Sequence, residues 1–105
     1  MPSRKFIKVS KSDKQGKKYY ALFKDKETGR EKRVYFGSAG MSDFTKHKDT
    51  ERKERYISRH QKRENWTSSG ILTAGWWSRW LLWNKPSFRE SLSDVKSKLK
   101  SAGYL

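Results

Sequence analysis

Short apolar and aromatic runs alternate with polar, glycine-containing turns in the N-terminal part of the chain. Runs of β-branched and aromatic residues bounded by Gly and Asp are typical of β-strands. The predicted strands lie at residues 6–9, 19–23 and 33–36, and the turns between them lie at residues 12–16 and 25–29. Gly29 suits a turn position that requires a positive φ angle. The pattern therefore predicts a three-stranded antiparallel meander over residues 1–40.

Residues 41–64 carry many charges and few apolar side chains, which sets them apart from the predicted strands. Asp49 or Thr50 is a suitable N-cap for a helix here. Acidic residues near that end would interact favourably with the positive end of the helix dipole. The four-residue spacing of Glu51 and Arg55 predicts an ion pair on the helix surface. Because such a helix has little to bury, we expect it to lie across another element.

A tryptophan-rich segment at residues 74–83 follows a connector that contains Gly and Ser. If this segment is helical, Trp76, Trp80 and Trp83 share one face and Trp77 lies on another. A helix that is apolar on nearly all sides is expected to be buried from several directions.

The last predicted helix has the most regular pattern in the chain. Its apolar face consists of four residues at helical spacing, Phe88, Leu92, Val95 and Leu99. Ser87 and Glu90 form a capping box at its start, and Gly103 suits the left-handed position that ends it. Together the elements predict an α+β fold: a three-stranded antiparallel β-meander followed by about three α-helices. We expect one domain, with the helical part at residues 41–105 packed on the meander at residues 1–40.

Charge is the most informative part of the composition, because 26 Lys and Arg residues against 11 Asp and Glu give a formal net charge of +15. Self-repulsion at this level favours an acidic partner, such as nucleic acid, an anionic membrane surface or an acidic protein face. The candidate contacts are basic residues of the predicted sheet and first helix. They are Lys17, Lys18, Lys24, Arg30, Lys32, Arg33, Arg52, Lys53, Arg55, Arg59, Lys62 and Arg63.

The aromatic and apolar residues of the C-terminal half have three interpretations. They form a core that covers the sheet as a lid, they anchor a partner protein, or they contact a membrane surface. The candidates for this interface or core are Trp66, Trp76, Trp77, Trp80, Trp83, Phe88, Leu92, Val95 and Leu99. Arg79, within the cluster, is expected to stack on a ring or to reach an acidic partner. The apolar run at residues 76–83 is far shorter than the about 20 residues that span a bilayer, so we predict that the chain is not transmembrane.

Candidate catalytic chemistry is sparse. The chain contains no cysteine, which excludes disulfides, thiolate zinc sites and cysteine nucleophiles. His47 and His60, with Asp49 and Glu64 nearby, are a weak signal for a nuclease in which a bound metal activates water. Such a site needs several converging ligands, and the neighbouring cations would repel the metal. We therefore predict a protein that is not an enzyme and that uses no metal or cofactor.

The segments that follow the predicted sheet form a long and unusual motif. They read HKDTERKERYISRH at residues 47–60, RENW at 63–66, SGILTAG at 69–75 and WSRWLLWNKP at 77–86. Together with the aromatic-Phe-Gly sequence at residues 35–37, where the third predicted strand ends, they resemble a family of small basic proteins encoded by nucleocytoplasmic large DNA viruses of algae and amoebae. The resemblance covers about residues 34–100, and it supplies no catalytic residues.

The resemblance implies a setting, the particle of a large DNA virus, in which a genome is packed inside a capsid built around an inner membrane. The expected location is the virion, after synthesis in the host cytoplasm or nucleus. Indole-rich surface favours a minor capsid protein that docks onto neighbouring capsid proteins. The alternative is a sequence-nonspecific protein that binds double-stranded DNA or packages the genome. Contact with a membrane surface is a further alternative that is compatible with either role.

Overall fold

The computed structural model describes residues 3–105, so residues 1 and 2 of the predicted meander lie outside the described part of the chain. Three strands form one antiparallel sheet in chain order. They are β1 (Arg4–Lys11), β2 (Lys17–Asp25) and β3 (Glu31–Ser38). The predicted meander is confirmed, and each strand extends beyond the apolar run that predicted it.

Helices make up about half of the chain after the sheet. Among the described residues they are α1 (Phe44–His47), α2 (Thr50–His60), α3 (Ala74–Trp77) and α4 (Phe88–Ser101). A 3-10 turn at Ser68–Gly70 precedes α3, and a π-helical turn at Ser78–Leu82 continues it. The predicted α+β fold is confirmed. Within residues 3–105, every helix is too short or too polar to cross a lipid bilayer.

The charged stretch before the tryptophan segment forms two helices instead of the one predicted. Asp43 caps α1 by accepting a hydrogen bond from the backbone N–H of Thr45. Lys48 then adopts the left-handed conformation, with φ at 56°, and ends α1. Asp49, one of the two predicted candidates, caps α2 by accepting a hydrogen bond from the N–H of Glu51. The left-handed Lys48 therefore divides this charged stretch into two helices.

Helix α4 has the ends and the buried face that its sequence predicted. The Ser87 side chain accepts a hydrogen bond from the N–H of Glu90. Gly103 has a φ of 89° just beyond the helix. Val95 and Leu99 are fully buried, whereas Phe88 and Leu92 pack at the margin of the core.

Trp77 lies at the centre of the core, between the sheet and the helices. Its ring stacks on Phe6 of β1 with the centroids 5.7 Å apart, and it lies at the same distance from Phe36 of β3. The edge of its ring meets Phe23 of β2 at 6.0 Å. Its Nε1 donates a hydrogen bond of 2.7 Å to the backbone oxygen of Ile71. The tryptophan segment is therefore the lid on one face of the sheet, here called the inner face.

The neighbouring indoles are also held by contacts within the chain. Trp76 is buried. The half-buried Trp80 donates from Nε1 to the backbone oxygen of Trp66 at 3.0 Å. The Arg79 guanidinium carbon and the Lys98 Nζ atom lie 4.3 and 4.2 Å from the centroid of its ring. Arg79 thus takes the first of its two predicted roles, stacking on a ring.

Gly37 occupies a position in β3 that a larger residue does not fit. Its φ is 78°, and a Cβ atom there would lie 2.9 Å from Leu82 Cδ1 and 3.2 Å from Lys18 Cβ. Gly16 has a similar φ of 87° but open space around it. We expect Gly37→Ala to lower the free energy of unfolding by about 1–3 kcal/mol more than Gly16→Ala, because it adds overpacking to backbone strain. Urea unfolding followed by far-UV circular dichroism measures the difference, and equal losses in the two variants would contradict this account of the packing.

Candidate functional site

A groove of about 560 Å³ lies between α2 and the end of the sheet where β2 begins and β3 ends. The first residues of α3 also contribute to its lining. Five cations line the groove: Lys17 and Lys18 of β2, and Arg52, Arg55 and Arg59 of α2. Asp43 and Glu64 are the carboxylates in the same lining. The groove therefore has an excess of positive charge contributed by two separate elements.

Helical periodicity sorts the charges of α2. Arg52, Arg55 and Arg59 are three and four residues apart, so they share the helix face that lines the groove. Glu51 and Glu54, which are interleaved with them in the sequence, lie outside the groove lining. The predicted Glu51–Arg55 ion pair is not among those formed within the described residues. The three arginines are exposed, and their guanidinium groups are available to an anion.

Two of the predicted binding residues instead make contacts inside the fold. Lys18 Nζ donates to Asp43 Oδ2 at 2.5 Å, and the two side chains are only 10% and 3% exposed. Lys53 Nζ donates to the backbone oxygen of Asn84 at 2.6 Å and lies 4.8 Å from the centroid of the Phe44 ring. Burial lowers the pKa of Lys53. These two lysines hold α1 and α2 in place, so they position the groove and are less available to a ligand.

A row of four rings in contact joins α2 to the end of the tryptophan segment. The rings of Tyr56 and Trp83 are nearly parallel, with centroids 4.5 Å apart. His47 lies 5.2 Å from Trp83, and His60 lies 4.4 Å from Tyr56. Burial, with a smaller contribution from the charge of Glu64, raises the pKa of Tyr56 to about 12. Tyr56 is therefore a neutral phenol at physiological pH, and its main role is packing.

The histidines of the nuclease hypothesis do not converge, because the rings of Tyr56 and Trp83 lie between them in this row. His47 Nδ1 accepts a hydrogen bond of 2.9 Å from the N–H of Asp49, and burial lowers the pKa of His47. Residues 3–105 contain no group of three or more His, Asp or Glu that could hold a metal ion. The geometry therefore offers no support for a metal-dependent nuclease.

The other predicted basic residues lie outside the groove lining and are exposed. They are Lys24, Arg30, Lys32, Arg33, Lys62 and Arg63. Arg33 donates to Asp13 at 3.0 Å, and its guanidinium carbon lies 4.7 Å from the centroid of the Tyr20 ring. Lys5 and Lys8, which belong to the same basic set of the predicted sheet, are also exposed on β1. Their position beside Lys24 depends on strand register, for which the local sequence gives no direct signal.

Comparison with known proteins places this arrangement in a family. Residues 7–60, from β1 to the end of α2, match a family of unknown function (DUF5754), and the match covers just over half of the chain. The chain belongs to this family. The region that defines the family includes all five cations of the groove and ends before the tryptophan segment. No curated protein and no solved structure matches the chain.

Proposed function

We propose that this protein binds double-stranded DNA without sequence preference and without catalysis, as a component of a large DNA virus particle. The observation that carries the proposal is the exposed face of α2, on which Arg52, Arg55 and Arg59 line a groove opposite Lys17. Guanidinium groups form strong, charge-assisted hydrogen bonds with phosphate oxygens. Contacts to the phosphate backbone position a protein on a duplex but carry no sequence information.

The charge of the rest of the surface supports the same partner. The ion pairs within the described residues engage three of the cations, Lys18, Arg33 and Lys98. Most of the 26 Lys and Arg side chains therefore lack a carboxylate partner in this part of the chain. A polyanion would relieve their mutual repulsion, and its condensed counterions would be released on binding.

A minor capsid protein, the role that the sequence pattern favoured, is the second candidate. That prediction depended on an indole-rich surface, but Trp76 and Trp77 are buried. The large apolar side chains that are exposed, within the described residues, are Ile7, Met41 and Leu105. Met41 lines the groove, so an acidic protein face that carries an apolar side chain also fits there. This feature is what favours the capsid role.

Neutralising the groove arginines tests the proposal. For the variant Arg52→Gln/Arg55→Gln/Arg59→Gln, we expect weaker binding to a duplex of random sequence. We also expect the slope of log affinity against log salt to fall by about 3, since each lost phosphate contact removes about 0.9 from that slope. Fluorescence anisotropy over a salt series measures both quantities. A matched control removes the same charge from exposed cations of α4, namely Arg89, Lys96 and Lys100.

The control variant should keep the wild-type slope within about 1, because its three cations lie away from the groove. Equal decreases in DNA affinity and in the salt slope for the two variants would show that binding depends only on net charge. That result would contradict a specific role of the groove. If the wild-type protein ignores the duplex at low salt but binds purified capsid shells in fixed stoichiometry, the capsid candidate replaces DNA binding.

A further inference from the structure

The face of the sheet opposite the tryptophan lid, here called the outer face, is organised in three rows across the strands. From β1 through β2 to β3, the rows are Lys5–Lys24–Glu31, Lys8–Leu22–Arg33 and Ser10–Tyr20–Tyr35. A bulge in β1, where the register shifts between Phe6 and Lys8, sets the second row. Because side chains alternate between faces, unbroken pairing would put Lys8 on the same face as Phe6. The bulge moves Lys8 onto the outer face.

The first two rows of the outer face form a basic surface. They contain four cations and one carboxylate. Lys5, Lys8 and Lys24 are exposed and take part in none of the ion pairs formed within residues 3–105. Leu22 is only 7% exposed, whereas Ile7, at the bulge, is 45% exposed and lines a pocket together with Lys5 and Lys24. Asp25 and Glu27 are the carboxylates in the same lining. The excess of exposed cations over carboxylates in these two rows suits a polyanion.

Side chains of the sheet and its first turn organise the third row. The Tyr20 and Tyr35 rings lie 5.6 Å apart, and Arg33 stacks on Tyr20. Tyr35 donates from its hydroxyl to Asp13 at 2.8 Å, and Arg33 donates to the same carboxylate at 3.0 Å. These contacts use groups of the outer face and the β1–β2 turn, whereas the tryptophan lid packs on the inner face. The outer face is thus ordered by its own contacts.

The basic surface of the outer face is separate from the groove. None of its three exposed lysines, Lys5, Lys8 and Lys24, is in the groove lining. Lys17, at the groove, and Lys24 are seven residues apart on β2, which corresponds to about 23 Å along an extended strand. The groove also takes its arginines from α2, on the helical side of the molecule. The groove and these three lysines are therefore separate contact points for phosphate groups.

We propose that the outer face, through Lys5, Lys8 and Lys24, is a second DNA-binding surface and that one molecule joins two duplex segments. This inference rests on the proposed function, since it assigns a second segment of the same polyanion to a second basic surface. Two basic surfaces about 23 Å apart along β2 can bring duplexes together without protein oligomerisation. The expected consequence is compaction of DNA by a monomer.

A two-duplex capture experiment tests the inference. One random duplex is fixed to beads, the full-length protein is bound, and capture of a second, fluorescent duplex is measured at low salt. The variant Lys5→Gln/Lys8→Gln/Lys24→Gln is compared with the wild type and with the α4 control, Arg89→Gln/Lys96→Gln/Lys100→Gln, which loses the same charge. Sedimentation analysis of the free protein establishes whether it is a monomer. Thermal unfolding checks that each variant keeps the wild-type fold.

We expect the outer-face variant to bind the fixed duplex through the groove but to capture the second duplex about tenfold less than the wild type, because three phosphate contacts are lost. The α4 control should capture it normally. Unchanged capture by the outer-face variant would overturn the inference, as would a wild-type protein that binds the first duplex but captures no second one. Failure of the wild type to bind the first duplex would overturn the proposed function as well.

Discussion

Trp77→Ala is expected to lower the free energy of unfolding by about 3–5 kcal/mol, the usual cost of removing a fully buried tryptophan. The indole contacts all three strands, through Phe6, Phe23 and Phe36. Its loss also leaves the buried backbone oxygen of Ile71 without this hydrogen-bond donor. Because small domains are stable by only about 5–15 kcal/mol in total, we expect a large fraction of the variant to be unfolded under mild denaturing conditions.

A second tryptophan provides the comparison for this prediction. Trp66 is half-buried. Its ring centroid lies 5.4 Å from the Arg79 guanidinium carbon and 6.4 Å from the centroid of the Tyr56 ring. Trp66→Ala removes the same atoms from the margin of the structure and should cost clearly less stability. Urea unfolding monitored by far-UV circular dichroism compares the two variants without relying on tryptophan fluorescence. Similar losses would mean that Trp77 is not the centre of the core.

Elements with a local signal were the ones that the sequence predicted best. The three strands are apolar runs between turns, and α4 is a capped helix with a regular apolar face. These elements can therefore be predicted from neighbouring residues alone. The division of residues 41–64 into two helices was missed, because α1 has four residues and no periodicity. The π-helical turn at Ser78–Leu82 was also missed. A wider turn within a run of apolar residues leaves no distinct pattern in the sequence.

The candidate site was predicted as a set of residue types but not as a surface. Lys18 and Lys53 resemble the other exposed cations in the sequence, yet their partners Asp43 and Asn84 are 25 and 31 residues away. Helical spacing places Arg52, Arg55 and Arg59 on one face of α2. The same spacing predicted a Glu51–Arg55 ion pair, which is not among the ion pairs formed within residues 3–105. What sequence reasoning lacked was the packing that makes one face of α2 a wall of the groove. Long-range contacts thus decided which cations are available.

Asp43→Asn is the second change for which we expect a large effect, a loss of about 3–5 kcal/mol in the free energy of unfolding. Removing one partner of a buried ion pair leaves the other charge uncompensated, and Lys18 is only 10% exposed beside Asp43. Asparagine is also a good N-cap, so the substitution keeps the cap of α1 and isolates the effect of the charge. Chemical denaturation measures the loss. The double variant Lys18→Met/Asp43→Asn should recover part of it, because no unpaired charge remains.

The exposed Arg33–Asp13 pair is the natural control, since surface ion pairs contribute little to stability. Asp13→Asn should therefore leave unfolding nearly unchanged, and equal effects of Asp13→Asn and Asp43→Asn would contradict a buried role for Asp43. Lys18 and Asp43 also line the groove. Asp43→Asn removes a carboxylate there and leaves Lys18 without its counter-charge, so duplex binding should strengthen while folding stability falls. If Asp43 only held the fold together, DNA affinity and folding stability would fall together.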